Sequence, residues 1–173
     1  SAPKGRNKTA QGNALGNAPP VDQSPEGAGQ GNAWSLVKSG DLFTFVTSGS
    51  RGWAKYYSET GPAFLRIGNL DHDSISLDLE DVQRVEPPSG AEGLRTRVQP
   101  GDILISITAD VGMVGLVPDS FEEAYINQHV ALARPTGVFP PYLAWFLSSR
   151  VAQKQFRELQ RGATKVGLGL EDI

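Results

Sequence analysis

Apolar residues between positions 63 and 134 recur in short runs that predict a series of β-strands. The clearest run, 102–107 (DILISI), follows Gln99-Pro100-Gly101. That sequence is typical of a tight turn, because proline fixes φ and glycine supplies a positive φ. Residues 113–117 are expected to return as the hairpin partner of this strand. The other predicted strands are 63–67, 82–85, 124–126 and 129–134.

Two other stretches carry apolar residues at helical spacing. Ser39 is a suitable N-cap for a short helix whose apolar side would consist of Leu42, Phe43 and Val46. Residues 141–160 predict a longer helix that ends at Gly162. Its cations would share one side, because they follow at steps of four, three and four: Arg150, Lys154, Arg157 and Arg161. These elements predict an α/β (α+β) fold with a mixed, largely antiparallel sheet, a short N-terminal helix and C-terminal helices.

The two ends of the chain differ from this pattern. Residues 1–33 contain only Leu15 and Val21 as large aliphatic residues, so they cannot bury enough surface to offset chain entropy. We therefore expect 1–33 to be a disordered linker or tail and 34–173 to form a single domain. The apolar, alternating stretch 166–173 (VGLGLEDI) predicts entry into a further strand, as expected of a domain truncated at its C-terminus.

Composition narrows the class of protein. The chain has 173 residues, of which 39% are hydrophobic, and it has no cysteine, which excludes disulfides, thiolate metal sites and cysteine nucleophiles. No apolar run approaches the ~20 residues that span a bilayer, and no secretory signal is present, so we expect a cytoplasmic protein that binds no membrane. The net charge of −3 is uneven: residues 71–123 hold twelve acidic and three basic residues, the remainder seven and thirteen. A basic face is compatible with this split, although acidic loops on an ordinary fold explain it as well.

Motifs of the common catalytic classes are absent. The sequence has no phosphate-binding glycine loop, no Asp-x-Lys or Glu-x-Lys of a restriction nuclease, and no Asn/Asp-Pro-Pro-aromatic loop of a base methyltransferase. His72 and His129 are the only histidines, so a zinc site would need several carboxylates. We predict a non-catalytic binding module without metal or cofactor. A hydrolase whose triad is dispersed along the chain stays open as an alternative.

The loop 47–57 (TSGSRGWAKYY) concentrates groups that suit nucleic acid. The candidate DNA contacts here are Ser50, Arg51, Lys55 and Tyr56. The cations and the hydroxyl suit phosphates, the tyrosine can stack, and the Arg51 fork can alternatively grip guanine O6 and N7. Trp53 and Tyr57 offer stacking surfaces too, but their packing in the core is an equally good interpretation.

A second basic segment and an amide pair complete the candidates. Segment 161–165 supplies Arg161, Thr164 and Lys165, although a plain helix C-cap explains it when taken alone. Asn127 and Gln128 can each bond adenine N6 and N7, but a structural role is the favoured interpretation for both, and for His129. Asp102 is expected to close the turn at Gly101. Asp110 has no clear partner in the predicted hairpin loop.

Six segments in this order make the chain resemble a target-recognition domain of type I restriction-modification specificity (S) subunits. They are TSGSRGWAKYY at 47–57, FLRIGNL at 64–70, PGDILISITADVG at 100–112, AYINQHVALARP at 124–135, YLAWFLSS at 142–149 and GATKVGLGLEDI at 162–173. The resemblance implies a domain that binds double-stranded DNA and reads one half of a split target. It also implies methyltransferase and motor-nuclease subunits as partners in the full-length assembly.

The spacer helices that join two such domains in a specificity subunit are not in this sequence. A recognition domain of a single-chain restriction-methylation enzyme is therefore an alternative. The rival from another class is a protein- or carbohydrate-binding module unrelated to DNA.

Overall fold

The computed structural model describes residues 36–160 and 167–173, and within it Val37–Ile173 belong to one compact unit. Its strands are β1 (Phe43–Ser48), β2 (Tyr57–Leu65), β3 (Gln83–Val85), β4 (Ile103–Ser106), β5 (Val114–Leu116), β6 (Ala124–Ile126) and β7 (Val130–Pro135). Its α-helices are α1 (Ala91–Thr96), α2 (Pro140–Ser148) and α3 (Arg150–Leu159). Short 3₁₀ helices occupy Ser39–Leu42, Trp53–Tyr56, Ile67–Asn69 and Leu170–Asp172. The predicted tail 1–33 lies outside the described residues.

Two sheets pack against each other, and helices cover the larger one. The four-stranded sheet has the order β1-β7-β4-β5 with all pairs antiparallel, and the three-stranded sheet has the order β3-β2-β6 with β2 and β6 parallel. Successive residues of β4 serve both layers: Ile103 and Ile105 pack with Leu143 and Phe156 of the helices, while Leu104 packs with residues of the second sheet. This mixed, largely antiparallel arrangement confirms the predicted fold class.

The hairpin of β4 and β5 forms as the sequence predicts. Gly101 has φ of 82° and the Asp102 N–H donates to the carbonyl of Gln99 at 3.0 Å, which is the predicted turn. The Asp102 carboxylate closes it by accepting from the Gln99 N–H at 2.7 Å. Asp102 is 1% exposed and also accepts two hydrogen bonds from Arg134, at 2.8 and 2.9 Å. Because burial disfavours a lone charge, this ion pair fixes β7 to the start of β4.

The predicted N-terminal helix is wrong beyond its first turn. Ser39–Leu42 forms only a 3₁₀ helix with Lys38, rather than Ser39, at the N-cap, and Phe43 begins β1. Apolar residues three apart, such as Phe43 and Val46, fit a helix in sequence. The aromatic and β-branched content of 43–48 favours a strand once β7 offers a hydrogen-bonding edge.

The predicted C-terminal helix is interrupted. Ser149 is extended (φ −68°, ψ 156°), ends α2, and caps α3 by accepting from the Ala152 N–H at 3.5 Å. A serine that can bond the backbone ahead of it favours a cap over a helix interior, so one long helix becomes two. The predicted end at Gly162 lies outside the described residues. The predicted final strand is instead the 3₁₀ helix Leu170–Asp172, with Ile173 buried against the core.

Candidate nucleic-acid interface

Three loops lie side by side at one end of the four-stranded sheet. Ser48 at the end of β1 pairs with Ala131 near the start of β7, and Ser106 at the end of β4 pairs with Val130. Loops 49–52, 127–129 and 107–113 therefore leave the sheet at the same end, which we call the loop end. Gly167 also reaches it, because it pairs with Thr108.

Gly49 joins two of these loops by close backbone approach. Its N–H donates to the carbonyl of Asn127 at 3.1 Å, and a Cβ at this position would collide with the backbone of Ile126 and Asn127. Gly52, three residues on, has φ of 88°, a conformation that favours glycine. The two glycines thus serve the close packing and the sharp exit of the loop that carries Arg51.

A short helix that the sequence did not reveal fixes this loop. Arg95 of α1 donates to Thr47 Oγ1, to the Ser48 carbonyl and to Ser50 Oγ, and it pairs with Glu92 at 2.8 Å. Glu92 in turn accepts from Ser50 Oγ and from Trp53 Nε1, both at 3.0 Å. The Glu92–Arg95 pair therefore connects α1 to both sides of the loop. The i, i+3 spacing of these opposite charges was the available sequence signal.

The charge of Glu92 is stabilised by its neighbours. Burial alone would raise the pKa of its carboxyl, but hydrogen bonds from Trp53, Arg95 and Ser50 and the charge of Arg95 lower the pKa to about 2. The carboxylate is consequently ionised at neutral pH and holds three donors at once.

The candidates in 47–57 have different environments. The Ser50 hydroxyl donates to Glu92 and accepts from Arg95, so its role in this structure is to hold the loop in place. Arg51 is exposed, with no ion pair among the described residues. Lys55 lies over the ring of Tyr56, 4.8 Å from the centroid, and both border a groove with Glu86 and Pro87. The structure thus places Arg51 in a loop of the loop end, while Lys55 and Tyr56 lie farther along the chain.

Trp53 and Tyr57, which the sequence could place either in the core or at the surface, differ in burial. Trp53 is 3% exposed and stacks on Phe64 at 4.9 Å between ring centroids, so it belongs to the core. Tyr57 is 44% exposed, with its ring 5.8 Å from that of Phe64.

Arg161, Thr164 and Lys165 lie outside the described residues. The described chain on each side constrains where their segment begins and ends: α3 precedes it, and Gly167 follows it with its bridge to Thr108. The Leu168 N–H also donates to the Ile107 carbonyl at 2.9 Å. Gly167 and Leu168 therefore lie at the loop end.

The middle loop carries the amide pair. Asn127 is 7% exposed, and its Oδ1 accepts from the His129 N–H at 3.0 Å, so its predicted structural role is confirmed. Gln128 is half-buried, and its Nε2 lies 2.8 Å from His129 Nε2. The other ring nitrogen of His129 bonds Thr108 Oγ1 in the neighbouring loop. The predicted structural role of His129 is therefore confirmed as well.

Helix α3 borders the third loop. Gln153 Nε2 donates to the Gly112 carbonyl at 2.7 Å and to the Leu147 carbonyl at 2.9 Å, so it holds loop 107–113 against the helices. Arg150 and Arg157 line a groove with this loop, and both are exposed without an ion pair in the described part of the chain. Asp110, for which the sequence indicated no clear partner, pairs with His72 at 2.9 Å.

The three basic residues of 71–123, by contrast, each form an ion pair with a glutamate. Arg84 pairs with Glu122, Arg95 with Glu92, and Arg97 with Glu123 at 3.6 Å. Within residues 36–160 and 167–173, the cations without an ion pair include Arg51, Arg150 and Arg157. These three lie in or beside the loops of the loop end.

Some other kinds of site receive no support from the described residues. Within 36–160 and 167–173, no three acidic or histidine side chains are grouped so that they could hold a metal ion. No helix in the same ranges has the length and apolarity needed to cross a membrane.

Solved structures of type I restriction-modification proteins share this fold. A chain from a structure of complex assembly and conformational transition in the type I R-M system is 18% identical, with 90% of this chain and 34% of that chain covered and a TM-score of 0.59. The HsdS subunit of Thermoanaerobacter tengcongensis is also 18% identical, over 88% of this chain and 36% of the subunit, with a TM-score of 0.50. The type I S subunit of M. genitalium is 13% identical, over 76% and 30%, with a TM-score of 0.50.

The chain thus spans about a third of the length of each of these proteins. No family model and no curated protein matches it. Because the identities are low, the likeness concerns the arrangement of strands and helices. The chain has the fold of a domain found in the S subunits of type I restriction-modification systems.

Proposed function

We propose that this chain is a non-catalytic DNA-recognition domain that reads one half of a bipartite target for a type I restriction-modification complex in the cytoplasm. The observation that carries the proposal is the loop end: three loops, with Arg51, Arg150 and Arg157 in or beside them, on one side of a fold shared with S subunits. Phosphate contacts position such a domain, and side chains in loops read base edges.

Arg51, Arg161, Thr164 and Lys165 are proposed as the contacts nearest the DNA, with Lys55 and Tyr56 at the margin. Ser50 would act mainly by holding Arg51 in place, because Arg95 and Glu92 already use its hydroxyl. Methyltransferase and motor-nuclease subunits would be bound by other parts of the full-length protein. A recognition domain within a single-chain restriction-methylation enzyme fits the same surface.

Titration of the chain with short duplexes at two salt concentrations tests the proposal. One half-site domain makes few phosphate contacts, so we expect weak binding, with Kd of about 10⁻⁴ to 10⁻⁶ M. The affinity should fall steeply as the salt concentration rises. Lys165→Ala should flatten the salt dependence by about one unit, and Lys55→Ala should do so if its marginal position still reaches phosphate. Lys38→Ala is the matched control, because Lys38 is exposed and precedes the opposite end of β1. A folded chain that binds no duplex at low salt would refute the proposal.

A protein-binding module remains the second candidate because α2 presents aromatic residues to solvent. Phe139, Tyr142 and Trp145 are 70%, 60% and 55% exposed and follow one another at steps of three. Exposed aromatics that share a helix side are typical of protein contacts. This candidate predicts no salt-dependent affinity for DNA, so the same titration separates it from the first.

A further inference from the structure

We infer that Gln128 reads an adenine in the target, with His129 and Thr108 as the residues that position its amide. The inference rests on the proposed function and deepens it by naming one base and one reader. Gln128 lies in the middle loop of the loop end, between the loop that carries Arg51 and the loop that pairs with Gly167. A base edge brought to the loop end beside the loop of Arg51 would meet the loop of Gln128.

The hydrogen bonds around His129 indicate which tautomer of its ring fits the loop. The Gln128 amide nitrogen carries only donors, so its contact at 2.8 Å makes His129 Nε2 the acceptor. The proton of the neutral ring then sits on Nδ1, which donates to Thr108 Oγ1. The backbone of His129 is also fixed, because its N–H donates to Asn127 Oδ1 and its carbonyl accepts from the Ile107 N–H, both at 3.0 Å.

The Gln128 amide keeps hydrogen-bonding capacity beyond its contact with His129. One hydrogen of Nε2 is used by His129, and within the described residues neither the second hydrogen nor Oε1 has a partner. A glutamine that offers both groups matches adenine, which presents N7 as an acceptor and N6 as a donor in the major groove. An amide already held by its neighbours loses little rotamer freedom on binding.

Asn127, the other half of the amide pair, cannot act in this way. Its Oδ1 is used by the backbone of His129 and its side chain is buried, so it shapes the loop. The two adjacent amides therefore have separate roles, and only the half-buried one is available to a ligand.

The test uses the assembled complex that contains this chain and a pool of duplexes with a randomised central block. The parent complex should select a motif that includes an adenine, and Gln128→Ala should reduce the preference for adenine at one position by about 5- to 150-fold. Gln128→Glu should go further and shift that position towards cytosine, because a carboxylate accepts from cytosine N4 but cannot donate to adenine N7. The salt dependence of Gln128→Ala should equal that of the parent, since no phosphate contact is lost.

Gln99→Ala is the matched control, because Gln99 is an exposed glutamine in the turn before β4, at the end of the sheet opposite the loop end. Its motif should equal that of the parent. If the parent selects a motif and both Gln128 variants, shown to be folded, select the same one, the inference fails and the proposed function survives. If the parent complex selects no motif at all, the proposed function fails together with the inference. Should Gln128→Ala not fold, the shift expected of Gln128→Glu decides alone.

Discussion

Replacing Arg95 by methionine should release the loop that carries Arg51 without touching DNA directly. Arg95 donates to Thr47, Ser48 and Ser50 and pairs with Glu92, whereas methionine keeps only the aliphatic packing. A net hydrogen bond is worth about 0.5–1.5 kcal/mol, and the Arg95 side chain is 35% exposed, so the low end of that range applies to each of the four. The free energy of unfolding should therefore fall by about 2–3 kcal/mol.

Thermal unfolding of the two proteins measures this loss. For a domain of this size, a change of that magnitude lowers Tm by about 8–12 °C. Arg97→Met is the control, because the ion pair of Arg97 with Glu123 is long, at 3.6 Å, and its side chains are 52% and 42% exposed. It should change the free energy of unfolding by at most about 0.5 kcal/mol.

DNA titration adds a second readout. Arg95→Met should weaken binding with an unchanged salt slope, because the loop loses its position while the phosphate contacts keep their number. Arg51→Ala should instead flatten the slope by about one unit if Arg51 meets a phosphate, or relax the choice of one base if it grips guanine. A Tm for Arg95→Met within a degree of the parent would show that α1 does not hold the loop.

Three further outcomes follow from single groups. The pKa of Glu92 is lowered from 4.5 to about 2. The ionised carboxylate therefore contributes its full stabilisation above about pH 4.5, and this contribution is lost as pH falls towards 2. Glu92→Gln should flatten this part of an acid-unfolding curve followed by tryptophan fluorescence. Arg134→Met should cost about 3–5 kcal/mol in denaturant unfolding, because it leaves the buried Asp102 carboxylate unpaired, and a loss below 1 kcal/mol would contradict that. Gly49→Ala should cost at least about 1–3 kcal/mol, since its methyl group would collide with the backbone at Asn127, while Gly40→Ala, in open space, should cost almost nothing.

Local signals predicted the hairpin and missed features that depend on distant partners. Gln99-Pro100-Gly101 determines its own turn, so β4 and β5 could be predicted from the sequence around them. The stretch 43–48 has apolar spacing compatible with helix or strand, and the hydrogen bonds that decide it come from β7, about ninety residues away. Helix α1 is too short, with Gly93 inside it, to be distinguished from a loop by pattern.

The sequence indicated which loop could form the candidate site, but not which contacts hold that loop in place. The glycines and cations of 47–57 indicated a binding loop, but nothing local showed that Ser50 is shared by Glu92 and Arg95 or that Lys55 lies in a separate groove. The different environments of the Asn127 and Gln128 side chains likewise depend on His129 and on Thr108, which lies in another loop. Such roles are set by tertiary neighbours, which a sequence of residue types does not contain.

Under the proposed function, the sheet order also limits the length of DNA that the loop end could read. Neighbouring strands lie about 4.8 Å apart, so the four strands β1-β7-β4-β5 span three intervals, or about 14 Å. Base pairs in a duplex rise by about 3.4 Å each, so loops in a row of that width face about four consecutive pairs. The proposed function therefore predicts a recognised stretch of about four base pairs, with little specificity at the pairs beyond it.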